Sequence, residues 1–199
     1  MAISKKSYQT RQSLLMRLRD SHDEASWEEF VSTYRNYILS IINNLNVCHH
    51  DSEDLLQSIL LKLWNKLPEF DYDPGKGQFR FWLGRVTKND VFKHFEKNKR
   101  HQKNSQEVEG DSGFNTEDPE INKMIEREWQ NYIAEKAWGN VSENFGQKIL
   151  DVFHCFADGM TGPQVAEKME MTENTAYVYK LRVQKALHKE MMRLEFELG

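Results

Sequence analysis

The chain is poor in the residues that staple, kink or interrupt a fold. Two cysteines occur in 199 residues, Cys48 and Cys155, far apart and with no C-x-x-C pair. That excludes a disulfide scaffold and reads as two reduced thiols, an expectation of a cytoplasmic protein. Four prolines and ten glycines exclude collagen and low-complexity disorder. No stretch reaches the roughly 20 apolar residues that span a bilayer, and the nearest, Ser58 to Trp64, is broken by Lys62. Met1 to Arg19 mixes Lys, Gln, Arg and Leu and lacks the apolar core of a secretory leader, so no membrane insertion is expected. No run alternates with period two for long enough to make a strand.

Catalytic patterns are missing too. There is no Gly-rich phosphate loop, nucleophile elbow or H-E-x-x-H, and Gly75-Lys-Gly77 is too short to cradle a phosphate. Cys48-His49-His50-Asp51 and His154-Cys155 bring ligand types together, but adjacent ligands crowd a tetrahedral ion that prefers spaced pairs. The expectation is a protein with no catalytic residues, no metal and no cofactor.

What is present is charge, unevenly spread. The net charge is only -4. Yet Lys76 to Lys103 carries nine basic residues against two acidic, and Gln106 to Glu128 carries eight acidic against two basic. A basic block followed by an acidic one points to contact with a polyanion, or more simply to a solvated helix face followed by a solvated linker. Asn104 to Glu120, with Gly110, Gly113 and Pro119 and no apolar period, reads as that linker. The chain therefore divides into a module over 1–103, an acidic tether over 104–120 and a module over 121–199.

Both modules read as helical, so the fold class expected is all-α. Trp27, Phe30, Val31, Tyr34, Ile38, Ile41, Ile42 and Leu45 follow helical spacing after a capping Asp23. A second helix starts at Asp51 or Ser52 and stops before Pro68. A loop over Phe70–Phe79 leads to a long helix from about Gln78 to Asn98. In the second module Asp118-Pro119 starts a helix, and another runs from near Ser142 to Gly159. Then Thr161 caps a short helix holding Val165, Ala166 and Met169, and Thr172 caps a longer one carrying Ala176, Val183 and Leu187. This is the pattern of a helix-turn-helix, whose second helix enters the DNA major groove. Thr172, Asn174, Tyr177 and Val178 sit in its first turns, where base edges are read, while Arg182 and Lys185 suit phosphates.

The long helix of the first module shows a second face, Phe81, Arg85, Lys88, Phe92, Phe95 and Lys99, beside a core stripe of Phe79, Trp82, Leu83 and Val86. Rings interleaved with cations suit single-stranded nucleic acid, where bases stack and phosphates pair. The same spacing suits Phe92 and Phe95 as ordinary core against the first helix.

Taken together, Asp54-Leu-Leu-Gln-Ser-Ile-Leu-Leu-Lys-Leu-Trp64, Phe79-Arg-Phe-Trp-Leu-Gly-Arg-Val-Thr-Lys-Asn89 and Val165 to Leu187 resemble, in order, conserved segments of bacterial sigma factors of the sigma-70 family, in the extracytoplasmic-function (ECF) class. The resemblance spans about Thr10 to Met191. It implies a sigma region 2 bundle and a sigma region 4 helix-turn-helix, in a non-enzymatic subunit that directs core RNA polymerase to promoters. It implies that Asp54, Leu55, Gln57, Leu60 and Leu61 contact the polymerase. Phe79, Phe81, Arg85, Lys88, Asn89 and Phe92 then fall at the minus-10 element and its melted strand, and Thr172, Asn174, Tyr177, Val178, Arg182 and Lys185 at the duplex minus-35 element. The partners implied are core RNA polymerase and promoter DNA, with room for an anti-sigma factor. Ser58 stands where the family usually has Glu, and Ala186 and His188 where this branch usually has Arg. From Trp129 onward ten acids outnumber eight bases, so duplex binding by the chain alone is expected to be poor. The rival readings are a stand-alone helix-turn-helix regulator, a protein-binding adaptor and, last, a metal-dependent nuclease.

Overall fold

The computed structural model describes residues 14–19, 23–72, 78–102 and 119–198. The expected tether is largely outside this range, as are Asp118 and the tip of the Phe70–Phe79 loop. The described chain is all-α, with helices α1 (Glu24–Asn44), α2 (His49–Lys66), α3 (Phe79–Gln102), α4 (Pro119–Ser142), α5 (Gln147–Ala157), α6 (Gly162–Lys168) and α7 (Glu173–Leu198). No strand occurs among the described residues. It forms two units, Met1–Gln130 with Leu198–Gly199, and Asn131–Glu197. The division falls inside α4, beyond the tether, rather than where composition changes.

The first unit is built on aromatic burial. Asp23 caps α1 by accepting the Ser26 backbone N–H at 2.9 Å, and its carboxyl is held below its usual range by the Ser26 side chain and backbone. Phe30, Tyr34, Tyr37, Ile38, Ile41 and Ile42 face inward at helical spacing. Each large apolar side chain so buried is worth about 1.5–3 kcal/mol. The chain leaves α1 through Asn46, whose φ of 60° is the left-handed cap that Asn tolerates. α2 begins at His49, two residues before Asp51, with Cys48 at its N-cap position and no side-chain capping bond. It buries Ser52, Leu55, Leu56, Ile59 and Leu63 and gives way to a 3-10 turn, Leu67–Glu69, around Pro68.

α3 is buried on a broad face, Phe79, Arg80, Leu83, Thr87, Lys88 and Val91. At Gly84 a methyl group would sit 2.7 Å from the Ile125 side chain of α4, so hydrogen is what lets these helices cross. The first turns of α4 complete the unit. Trp129 is fully buried with its ring 5.1 Å from Tyr37, Arg80 pairs with Glu126 at 3.1 Å, and buried Glu128 accepts from Asn44 at 2.8 Å. The Tyr37 hydroxyl donates to the Arg80 carbonyl at 3.2 Å, and burial pushes its phenol well above the usual range.

In the second unit, α4 does not stop early to let a helix begin near Ser142. It continues through buried Ala137 and Val141, and α5 starts after Gly146, whose extended backbone turns the chain. Val152, Cys155, Val165 and Ala176 form the centre, with Phe156, Met160, Met169, Met171 and Tyr179 packed around them. Cys155 is thus a core thiol, and no cluster of three metal-ligating side chains occurs among the described residues.

Candidate nucleic-acid interface

Three surfaces carry the residues singled out from sequence. The first is the outer face of α2. Asp54, Gln57 and Leu61 recur at three- and four-residue steps and are exposed, Leu61 by 64%. The Ser58 hydroxyl donates to the Asp54 carbonyl at 3.0 Å and so spends itself on its own helix. Leu60 is half-buried. Leu55 is 9% exposed and belongs to the core, so it is corrected from surface contact to support.

The second surface is α3. Arg85 and Asn89 lie exposed one turn apart, while Phe81 and Phe92 are half-buried. The Arg80 guanidinium lies 5.0 Å from the Phe81 ring centroid. Two of the six residues expected there are not on the surface. Phe79 is fully buried, 5.3 Å from Trp82, 5.5 Å from Tyr34 and 6.0 Å from Phe70. Lys88 is 2% exposed and its ammonium sits 5.5 Å from the Phe92 ring. The cations that do face water continue the Arg85–Asn89 line at steps of four, Lys93 and Lys97. That step was visible in the sequence, but the choice between two overlapping four-residue lines needed the packing of α1, α2 and α4. Beside the aromatic cluster, a cleft of about 140 Å³ is lined by Leu15, Met16, Arg19, Phe70, Asp71 and Tyr72.

The third surface is the α6–turn–α7 pair. The Thr161 N–H donates to Gln164 Oε1 at 2.8 Å, which fixes the start of α6. The turn passes through Glu170, with φ at 50°. Thr172 Oγ1 accepts the Thr175 N–H at 3.2 Å and starts α7. Ala176 is small enough to let α7 lie close to α6, and Gly162 leaves room for the Tyr177 ring, which a methyl would meet at 2.7 Å. Phe156 of α5 is flanked by Tyr177, ring to ring at 5.3 Å, and by the Lys180 ammonium at 4.7 Å. With Ala176 and Val183 inward, the opposite edge of α7 presents Asn174, Val178, Leu181 and Lys185, with Arg182 beside them. From Asn174 to Lys189 the helix has four Lys or Arg and no acid.

Helices of this order, with one aromatic–cationic unit and one compact helical pair, define an all-helical protein among the described residues. Residues 30–101 match the family model of sigma-70 region 2. The solved complex of CnrH with the cytosolic domain of CnrY resembles the chain with a TM-score of 0.38 and 14% identity, covering 90% of this chain and 96% of that one. No protein of curated function matches.

Proposed function

We propose that this chain is a sigma factor of the sigma-70 family, of the ECF class: a non-enzymatic subunit that takes core RNA polymerase to promoters in the cytoplasm and helps open them. The observation that carries the reading is the region 2 match over residues 30–101, a span that holds both the α2 face and the exposed Arg85–Asn89 line. In this reading Asp54, Gln57, Leu60 and Leu61 dock on the polymerase, with Leu55 holding the helix in place. Arg85 and Asn89, extended by Lys93 and Lys97, receive the melted minus-10 strand. Phe79 and Lys88 act from within, fixing the aromatic wall and the helix from which Phe81 and Phe92 reach the surface. Unstacking a base costs a few kcal/mol, which aromatic contacts of about 1–3 kcal/mol per base and cationic contacts offset.

The second unit reads the minus-35 duplex through α7, with Thr172 as its cap, Asn174, Tyr177 and Val178 toward bases and Arg182 and Lys185 toward phosphates. The two units carry weak sites that act together through effective concentration. An anti-sigma factor is a further partner this function admits.

The test is run-off transcription by bacterial core RNA polymerase on genomic fragments, with and without the chain. New starts are expected, and they should vanish with Arg85→Ala plus Asn89→Ala, two exposed changes that leave the fold intact. Duplex binding retained without any binding to polymerase would replace this reading with the stand-alone regulator.

A further inference from the structure

The outward ridge of α7 is unusual for a helix meant to meet a polyanion, because its middle is apolar. Val178 is 46% exposed and Leu181 49%, and neither belongs to the core cluster. They lie between Asn174 and Lys185 on the edge directly opposite buried Ala176 and Val183. Resting on the minus-35 role given above to α7, we infer that this ridge reads thymine C5-methyl groups: Val178 and Leu181 contact the methyls of two neighbouring A·T pairs in the major groove.

Three observations favour duplex DNA over a protein as the occupant. The flanking charge is complementary, with four cations and no acid from Asn174 to Lys189. The apolar pair sits in the first turns of α7, the part of such a helix that contacts base edges. Its polar neighbour on the ridge, Asn174, has the amide that pairs with adenine N6 and N7, the partner base of thymine. Three residues advance the helix by about 4.5 Å, between one and two base steps of about 3.4 Å, which puts adjacent pairs within reach of the two side chains. Guanine offers no methyl, and the ridge has no arginine at its centre to meet guanine O6 and N7. Tyr177, packed on Phe156 and over Gly162, stands to one side of this ridge.

The experiment uses the full chain bound to bacterial core RNA polymerase and a randomised duplex library. Enriched duplexes are resynthesised with deoxyuridine for thymine, one position at a time across the minus-35 segment, which removes the methyl and keeps pairing and charge. Binding is expected to weaken about fourfold at each of two neighbouring positions, the worth of one buried methyl group. In Val178→Ala the difference between thymine and deoxyuridine should disappear at one of these positions, and in Leu181→Ala at the other. Both side chains are half exposed, so the variants keep their fold, which circular dichroism melting verifies. Enrichment with equal affinity for thymine and deoxyuridine everywhere overturns methyl reading and leaves the sigma-factor function standing. No enrichment of any duplex by the polymerase complex overturns both, and assigns the ridge to a protein partner.

Discussion

Two glycines sit at helix crossings, and they differ in what stands opposite. Gly84 faces the branched Ile125 side chain, which is fully buried and has nowhere to go. Gly162 faces the ends of Tyr177 and Glu173, both at the surface. Gly84→Ala should therefore cost the first unit about 1–3 kcal/mol in urea unfolding, the usual cost of overpacking. Gly162→Ala should cost the second unit less than this, because the exposed ends of Tyr177 and Glu173 can swing aside. Tyr37 makes a second prediction. Burial raises its phenol, so above pH 10 the unfolded chain ionises while the folded one keeps its proton. The stability this provides is complete below pH 10.0, the ordinary tyrosine value, and is lost as pH rises beyond it. Alkaline unfolding curves of Tyr37→Phe should be flatter than those of the parent. Lys88 marks the limit of reading residues from a string. Its period placed it with Arg85, yet it is buried, because a helical wheel gives the angle of a side chain and not the width of what covers it.

At the scale of elements, most of the architecture was legible. Caps at Asp23, Thr161 and Thr172, a stop before Pro68 and apolar stripes of period near 3.6 are local chemistry, and local chemistry survives into the fold. What escaped depended on distant partners. α4 runs to Ser142 because Ala137 and Val141 continue its buried stripe across Gly139. The α2 face was legible in part, since Leu55 and Leu61 are both leucines at helical positions and only packing separates them. Leu61→Ala should lower affinity for core polymerase about tenfold, a loss of the size seen for one central apolar anchor. Its melting temperature should not move, because 64% of Leu61 is already in water.

For the whole molecule, a net charge of -4 argues against tight unaided binding to DNA, and local charge decides where contact is made. The polymerase complex should lose duplex affinity with salt, and Arg182→Ala and Lys185→Ala should each reduce the slope of log K against log salt by about one. A slope unchanged in both variants would remove these two side chains from the phosphate backbone.

The crossing of α4 over Gly84 also bears on how such a protein is cut and recombined. A designer exchanging the C-terminal module would place the seam in the acidic tether, where composition changes. A piece ending at residue 103 would leave without Ile125, Glu126, Glu128 and Trp129, uncovering Tyr37 and Gly84 and stranding Arg80 and Asn44. A piece ending at Gln130 takes its own lid along. Chimeras joined after Gln130 should stay soluble and unfold in one sharp transition, whereas those joined within the tether should aggregate, which makes the useful unit of exchange longer than the one composition outlines.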